Sequence, residues 1–529
     1  MKRSTAPGGT IGHLMRTTSG FRALRPYGAA FAVVVVAAIV RSFIWLNSDV
    51  SWLLTLGEQV LAGARAYVDF SEPNPPASIL LYMPATLLGQ LTAVPAELAL
   101  TVLVFAGALL SLWLFARILA SSTLLRPQEW PLLLAFGCAA LLILPGDNFA
   151  ERENIALIAM LPMLAVYAVR ASNMPVGGML AMIAGIGGGI AVAIKPYFAL
   201  ALLLPLLYGL WSLRSDRRKL ALLIFSPEHL AAGAVLASYA VVLIALFADY
   251  VWHTLPLVLT LYVPLRYSLP YMLANPSVLL IVMTALVSVA IGRGEFRSPL
   301  IRVTALAALG FAVALIVQGK GWPYHGYPAV ALSLLLLCLL LLRRWFGAAV
   351  TKAFPLDLAV ALGLFACIFG LAAAWLLQEP SRAKLVVEVA RLAPDRPKVL
   401  SIYGSPGIAF PLTRKLRGTP IGRTPFQWIS AYTDRFLSAG QLDPAAKSGI
   451  HDPALRRRIA EYGRRDRFEL ADTIRTRRPD VILIGDKGER HWAFSHPEIA
   501  QVLRRYRLAE TFDGVEIWLP RDTAKMTAP

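Results

Sequence analysis

The chain has 529 residues, of which 57% are hydrophobic and only 16% charged, and its mean hydropathy is +0.60. A soluble domain carries about a quarter charged residues, so this composition excludes an ordinary soluble protein and predicts a polytopic membrane protein. The net charge of +19 fits Lys- and Arg-rich cytoplasmic loops plus a basic C-terminal region facing anionic lipid head groups or an anionic glycan, and nothing indicates nucleic-acid binding.

Residues 1–26 are basic and have no small-residue cleavage site, so we expect a cytoplasmic tail before an uncleaved first span. Hydropathy predicts about eleven transmembrane helices. They lie near residues 27–46, 96–118, 130–145, 154–169, 175–194, 197–213, 229–248, 275–292, 300–317, 329–342 and 355–378. Residues 77–91 are too short and interrupted for a span and are predicted to form an interfacial helix.

The positive-inside rule fixes the predicted orientation. With the N-terminus inside, the Arg-rich loops at 117–129, 170–174, 214–219, 293–297 and 343–352 all lie in the cytoplasm. The intervening loops and the C-terminal region then lie on the outer side. We therefore expect a multi-pass protein of a bacterial inner membrane, with a transmembrane domain at 27–379 and a periplasmic domain at 380–529.

The first outer loop is unusually acidic. It carries Asp49, Glu58, Asp69 and Glu72, the last followed by Asn74 in a Pro-rich stretch, and a helix is predicted over 51–62. Acids at a membrane surface are costly to desolvate and are rarely placed there without a function. Asp49 is the best candidate for a general base, which needs an ionised acid near the reacting hydroxyl. The alternative is that these acids only solvate a loop.

Three further polar clusters fall on the same predicted face. Asp147, Glu151, Arg152 and Glu153 open a span, either as a site or as helix caps. Lys195 and Tyr197 lie between two spans, where the lysine binds a phosphate or snorkels. The loop containing Lys320, Tyr324 and His325 suits a charged ligand or forms part of the interfacial aromatic belt, and Arg266 is a weaker candidate.

From about residue 381 the chain reads as a small soluble α/β domain. Strands are predicted at 399–403, 481–484 and 515–519, and helices at 453–462, 468–477 and 497–506. The loop 404–407 resembles a phosphate loop only loosely, and a strand-ending turn is the preferred interpretation. No nucleotide-binding, serine-hydrolase or Cys/His metal motif is present. No cofactor is predicted with certainty, and a divalent cation held by the outer acids stays open because no spacing specifies one.

The order of these elements resembles that of the GT-C class of membrane glycosyltransferases. The similarity covers residues 27–350 and is greatest to the polyprenyl-phosphate-sugar branch, which includes the lipid A aminoarabinose transferase and the protein O-mannosyltransferases. The resemblance implies that Asp49 is catalytic and that the second loop supplies another acid, Asp147 or Glu151. Relatives often have a phosphate-contacting Lys where this chain has Asn74, so Lys195, Lys320 or Arg266 is expected to bind the phosphate.

These expectations define a membrane enzyme that transfers a sugar from a polyprenyl phosphate to an extracytoplasmic glycan, lipid or protein acceptor. The reaction inverts the anomeric centre, and Asp49 is the general base. A transporter or flippase of a lipid-linked glycan is the main alternative, and the Gly-rich span 178–189 is its best support. A non-catalytic assembly subunit whose tail binds a partner is the third hypothesis.

Overall fold

The computed structural model describes residues 27–351, 356–377, 383–404, 406–438, 452–485 and 487–521. The predicted cytoplasmic tail and the predicted domain boundary at 379/380 lie outside these residues. The membrane part consists of helices throughout. They are α1 (Gly28–Phe43), α2 (Ser48–Leu61), α3 (Ala77–Leu80), α4 (Met83–Thr92), α5 (Ala96–Leu119), α6 (Trp130–Cys138), α7 (Arg152–Ala171), α8 (Gly178–Ile194), α9 (Ala199–Ser212), α10 (Arg217–Ile224), α11 (Pro227–Leu246), α12 (Leu269–Leu273), α13 (Pro276–Gly292), α14 (Pro299–Gln318), α15 (Pro323–Thr351) and α16 (Leu356–Leu376).

Each predicted span coincides with an apolar helix. In the described part of the chain, six helices are long and apolar enough to cross a membrane, and the pair α1–α2 makes a seventh if counted as one bent span. Five shorter apolar helices accompany them. Large apolar side chains on α5, such as Val102 and Trp113, remain more than half exposed, as expected for a surface that contacts lipid. The helical class is confirmed, while the number of crossings stays a prediction.

The first acidic loop folds around a sharp bend. Helices α1 and α2 meet at 81°, and the side chain of Asn47 caps α2 by accepting a hydrogen bond from the Val50 backbone N–H at 2.9 Å. Asp49 therefore lies in the first turn of α2, where an acid is favoured by the helix dipole. The predicted interfacial helix is present as two short helices, α3 and α4.

The C-terminal region is a five-stranded sheet with helices, which confirms the predicted α/β class. Its strands are β1 (Lys398–Ile402), β2 (Thr419–Pro420), β3 (Val481–Ile484), β4 (Tyr506–Phe512) and β5 (Val515–Pro520), in the order β2-β1-β3-β5-β4. β1 pairs in parallel with β2 and β3, and β5 pairs antiparallel with β3 and β4. The helices are α17 (Ala383–Leu392), α18 (Pro406–Ala409), α19 (Leu412–Lys415), α20 (Trp428–Ser438), α21 (Pro453–Arg477), α22 (Lys487–Ser495) and α23 (Pro497–Leu503).

Two predictions for this region were wrong in detail. The helices expected at 453–462 and 468–477 are one continuous helix, α21, that passes through Gly463. A Cβ at Gly463 would lie 2.7 Å from the Thr433 side chain, so this glycine allows α20 and α21 to pack closely. The helix expected at 497–506 ends at Leu503 because the chain turns there into β4, which pairs with β5.

The C-terminal region packs directly on the first acidic loop. Arg414 forms a two-pronged ion pair with Glu58 at 2.7 and 2.9 Å and also reaches Glu97 at 2.7 Å. The rings of Trp52 and Phe410 meet edge to face at 5.4 Å. These contacts join the tail to α2, the helix that carries Asp49.

Candidate functional site

Asp49 lies at the centre of a polar cluster buried between the helices. Its Oδ2 accepts hydrogen bonds from Arg152 Nη2 at 3.0 Å and from the Tyr324 hydroxyl at 3.3 Å. The Asp49 side chain is 31% exposed, whereas that of Arg152 is only 2% exposed. The carboxylate is thus held in one orientation by a buried guanidinium, yet it stays accessible to a small molecule.

Arg152 is positioned by the second acidic loop. It opens α7 directly after the N-cap residue Glu151, whose carboxylate lies 3.6 Å from Arg152 Nε. Glu151 also accepts a 2.6 Å hydrogen bond from the Asn47 amide, and burial raises the pKa of Glu151. Nη1 of Arg152 is buried and has no hydrogen-bond partner among the described residues. A buried donor of this kind calls for an anionic ligand or a water molecule.

A second charged cluster joins α7 to the loop between α8 and α9. Lys195 Nζ donates to Glu153 Oε1 at 2.5 Å and lies 3.2 Å from His325 Nε2. The same ammonium group lies 5.5 Å from the centre of the Tyr324 ring. Burial lowers the pKa of Lys195, and Glu153 opposes that shift. Lys195 therefore joins the Asp49 cluster through Tyr324.

Glu72 anchors the Pro-rich end of the first loop. Its carboxylate accepts hydrogen bonds from Trp52 Nε1 at 2.9 Å and from the Asn74 backbone N–H at 3.0 Å. The Glu72 side chain is buried, and burial raises its pKa. Glu72 and Asn74 both line the pocket that contains Asp49.

The reaction pocket, defined by Asp49, Arg152, Lys195 and Tyr324, has a volume of about 60 Å³. Trp428 and Tyr432 of the C-terminal region complete its wall, one turn apart on α20. The Trp428 and Tyr262 rings meet edge to face at 6.4 Å. This volume is far smaller than the roughly 300–1,000 Å³ of common ligand pockets, so we expect one of these walls to move when a sugar binds.

A larger, mostly apolar groove adjoins the reaction pocket. It has a volume of about 370 Å³ and shares Pro73, Asn74, Lys195 and Tyr262 with the pocket. Leu255, Val258, Leu259 and Val263 supply its apolar wall, and its polar residues include Tyr197, Gln318, Lys320 and His325. The groove therefore combines a hydrocarbon-like surface with two lysines.

Lys320 is held at the polar part of this groove by backbone and rings. Its Nζ donates to the carbonyl oxygens of Tyr262, at 2.5 Å, and of Leu265, and it lies 4.3 Å from the centre of the Tyr262 ring. Burial lowers the pKa of Lys320 to about 7, and the positive charge of Arg266 adds to this shift. Lys320 is therefore a cation whose charge changes near neutral pH.

Of the fifteen site residues predicted from sequence, nine line the pocket or the groove. They are Asp49, Glu72, Asn74, Arg152, Lys195, Tyr197, Lys320, Tyr324 and His325. Glu151 and Glu153 lie directly behind them through the contacts with Arg152 and Lys195.

Four predicted residues lie elsewhere among the described residues. Glu58 forms the ion pair with Arg414, and Asp69 pairs with Arg65 at 3.7 Å while remaining about half exposed. Asp147 is buried in the turn Gly146–Asn148 and interacts electrostatically with Arg41. Arg266 is exposed, with its Nε donating to the Val263 carbonyl at 3.3 Å.

Trp52, Tyr262, Trp428 and Tyr432 also line the pocket, and they were not predicted from the sequence. Trp428 and Tyr432 are four residues apart, a spacing that places two aromatic side chains on one helix face. The spacing could have predicted an aromatic helix face. No pattern in the neighbouring sequence indicates that this face covers a site near residue 49.

No protein-family model matches the chain, and a search of curated proteins finds no match. Comparison with solved structures is informative. The structure of ArnT from Cupriavidus metallidurans bound to undecaprenyl phosphate is similar over 97% of this chain and 99% of that one, with a TM-score of 0.54 and 13% sequence identity. The chain therefore has the same fold as ArnT. The apo structure of ArnT is similar over 97% of this chain, with a TM-score of 0.51 and 13% identity.

The similarity to ArnT extends beyond the membrane helices. Because the alignment covers nearly all of both chains, it includes the C-terminal sheet as well as the helical part.

Among the described residues, no group of three or more His, Cys, Asp or Glu side chains is arranged to hold a metal ion.

Proposed function

We propose that this protein is an integral membrane glycosyltransferase that uses a sugar linked to a polyprenyl phosphate. The observation that carries the proposal is the position of the Asp49–Arg152 pair in a pocket that adjoins an apolar groove containing Lys195 and Lys320. An acid, a set of cations and an apolar surface are the three features that transfer from a lipid phosphate requires. The ArnT fold, solved with undecaprenyl phosphate bound, supports this assignment.

The donor occupies both cavities in this proposal. Its polyprenyl chain lies against the apolar wall formed by Leu255, Val258 and Leu259. Its phosphate lies near Lys195, Lys320 and the unpaired Nη1 of Arg152. Phosphates bind such ammonium and guanidinium groups through charge-assisted hydrogen bonds, so these residues replace the Lys that is absent beside Pro75.

The chemistry follows from this placement. An acceptor hydroxyl gives its proton to Asp49 as its oxygen bonds to the anomeric carbon of the sugar. The bond between that carbon and the phosphate oxygen breaks, and the electron pair leaves with the lipid phosphate. The cations stabilise the charge that develops on the phosphate. Attack from the face opposite the leaving group inverts the anomeric centre.

The acids of the second loop have supporting roles in this proposal. Glu151 orients Arg152 and Asn47, and Glu153 orients Lys195. Asp147, which was predicted to be catalytic, has no catalytic role in this proposal because it is not among the residues that line the pocket. The acceptor is a glycan, lipid or protein on the outer side of a bacterial inner membrane.

Replacing Asp49 tests the proposal. We expect Asp49→Asn to reduce transfer from a labelled polyprenyl-phosphate sugar about 10²- to 10⁴-fold, the usual contribution of a general base. Asp395→Asn, at a side chain that is 94% exposed, is the matched control and should keep wild-type activity. An Asp49→Asn enzyme within threefold of wild type would show that Asp49 is not the base.

The flippase hypothesis makes a different prediction. Its sequence support was the Gly-rich helix α8, but Gly185, Gly188 and Gly189 contact neighbouring helices so closely that a Cβ would overlap them. Close packing therefore accounts for these glycines. An enzyme releases free polyprenyl phosphate from its donor in detergent, whereas a flippase releases none.

A further inference from the structure

A separate cavity lies between the C-terminal region and the segment that follows α11. We call it the junction cavity and define it by Tyr67, Trp252, Arg423, Arg458 and Arg465. Its volume is about 410 Å³. Binding pockets commonly have volumes of about 300–1,000 Å³ and occur where domains meet, so the junction cavity has the size and position of a ligand site.

One face of α21 forms the floor of the junction cavity. Arg458, Tyr462, Arg465, Glu469 and Thr473 all line it. Residues three or four apart lie on the same side of a helix, so this spacing places one continuous stripe of α21 against the cavity. The opposite wall comes from residues 252–257, which belong to the membrane part.

The acids of the junction cavity are already engaged. Glu469 pairs with Arg423, and Asp466 accepts hydrogen bonds from the Ser430 backbone N–H at 3.0 Å and hydroxyl at 2.6 Å. Among the described residues, neither Arg465 nor Arg458 has an ion-pair partner, and Arg458 donates a hydrogen bond to the Tyr462 hydroxyl at 2.8 Å. Two guanidinium groups therefore face the cavity without a carboxylate to neutralise them.

The chemistry of the lining selects an anionic saccharide. Guanidinium groups bind carboxylates and phosphates through paired hydrogen bonds. Tyr67, Trp252 and Tyr462 add aromatic surface, and Thr424 and Thr473 add hydroxyl groups. Arg458 and Arg465 are exposed, but they line a concave space whose opposite wall is formed by residues 252–257, and a concave space fits a compact anionic ligand better than a flat lipid surface.

One segment, residues 422–429, lines both the junction cavity and the reaction pocket. Gly422, Arg423, Thr424, Gln427 and Ile429 line the junction cavity, while Pro425, Phe426 and Trp428 line the pocket that contains Asp49. A ligand held by Arg458 and Arg465 would thus contact the same segment that lines the pocket of the proposed base.

We propose that the junction cavity binds the acceptor through an anionic group, a sugar carboxylate or phosphate, while another part of the acceptor presents its hydroxyl to Asp49. This inference rests on the proposed glycosyltransferase function and identifies the acceptor as an acidic saccharide. It also gives the C-terminal region a direct part in acceptor recognition.

Direct binding to the purified full-length protein tests this site without any transfer. The probes are glucuronate and glucose 6-phosphate, with glucose as the neutral comparison. We expect both acidic probes to bind, glucose not to bind, and Arg458→Ala/Arg465→Ala to raise the Kd for the acidic probes at least tenfold. The matched control is Arg475→Ala/Arg477→Ala, which removes two arginines from the same helix outside the cavity.

Three results would decide the matter against the site. The first is an equal affinity of the two double variants for the acidic probes, and the second is binding of glucose as tight as that of the acidic probes. The third is that Arg458→Ala/Arg465→Ala binds phosphatidylglycerol vesicles less but binds the saccharides as well as wild type, which would assign these arginines to the membrane. Equal melting temperatures of the two double variants exclude misfolding as the cause of weaker binding. Arg465→Glu provides a second variant for the same binding test. A protein that binds the acidic probes but transfers no sugar supports the site and refutes the proposed function.

Discussion

Arg414 is the residue whose loss should most clearly separate the C-terminal region from the helix that carries Asp49. Its guanidinium reaches Glu58 on α2 with two hydrogen bonds, Glu97 at the start of α5 with one, and the Thr55 hydroxyl at 3.1 Å. The change Arg414→Gln removes the positive charge and the planar fork. It leaves the carboxylates of Glu58 and Glu97 without the guanidinium that they share.

The magnitude follows from burial. A hydrogen bond to a charged group contributes about 1.5–3 kcal/mol, and breaking a buried ion pair costs about 3–5 kcal/mol. Arg414 is only 11% exposed, but Glu58 and Glu97 are 38% and 33% exposed and regain water when the pair is broken. We therefore expect a cost of about 2 kcal/mol, which increases the local opening equilibrium about 30-fold.

Hydrogen exchange measures this equilibrium residue by residue. Amides in α2 and α19 should lose protection about 30-fold in Arg414→Gln, while strands β1 and β3 should keep theirs. Arg414→Lys should give a smaller loss, because an ammonium group keeps the charge but lacks the fork. Sugar transfer should fall in the same order, because α2 orients Asp49.

Arg391→Gln is the matched control. Arg391 also contacts two carboxylates, Glu388 and Glu510, but its side chain is 59% exposed, and exposed ion pairs contribute little. Exchange in α2 should be unchanged in this variant. If Arg414→Gln also leaves α2 and α19 fully protected, the ion pair does not hold the tail on α2 and the reasoning is refuted.

Two further predictions concern charge and packing. Burial lowers the pKa of Lys320 to about 7, so Lys320 loses its positive charge as the pH rises through 7. Because this charge would stabilise the donor phosphate, kcat/KM for the lipid-phosphate donor should fall at least about tenfold from pH 6 to 8.5. The arginine in Lys320→Arg stays charged, and an equally steep profile in this variant would contradict the assignment. In Gly185→Ala, the new Cβ would lie 2.1 Å from the Glu228 carbonyl oxygen, which should destabilise the protein by about 1–3 kcal/mol and lower its Tm. Gly178→Ala, with no atom within 4 Å of the added Cβ, should leave Tm unchanged or higher, and equal Tm values for the two variants would count against this packing.

Much of the fold could be predicted because its signals are local. Every predicted span coincides with an apolar helix, and the buried strands β1 and β3 were visible as short apolar runs between turns. Strand β4 was not visible. It is an edge strand whose Arg507 and Glu510 are polar, and edge strands commonly carry charge.

The candidate site was predictable only in part, for a physical reason. Hydropathy and charge placed Asp49, Arg152 and Lys195 on a common face, and the structure brings these three residues into one pocket. The partner of Glu58 could not be predicted, because Arg414 lies 356 residues away and no local pattern connects the two. The ion pair of Glu58 is thus visible only in the structure, and its predicted role in substrate binding stays a prediction.

The side chain of Asn47 connects the two acidic loops that form the reaction pocket. One side of its amide caps α2, and the other donates to Glu151, 104 residues along the chain. The Asn47 amide therefore links the helix that carries Asp49 to the residue that precedes Arg152, so one residue holds the positions of both the acid and its guanidinium. In the proposed enzyme, a displacement of α20, which carries Trp428 and Tyr432, would enlarge the pocket without separating this pair.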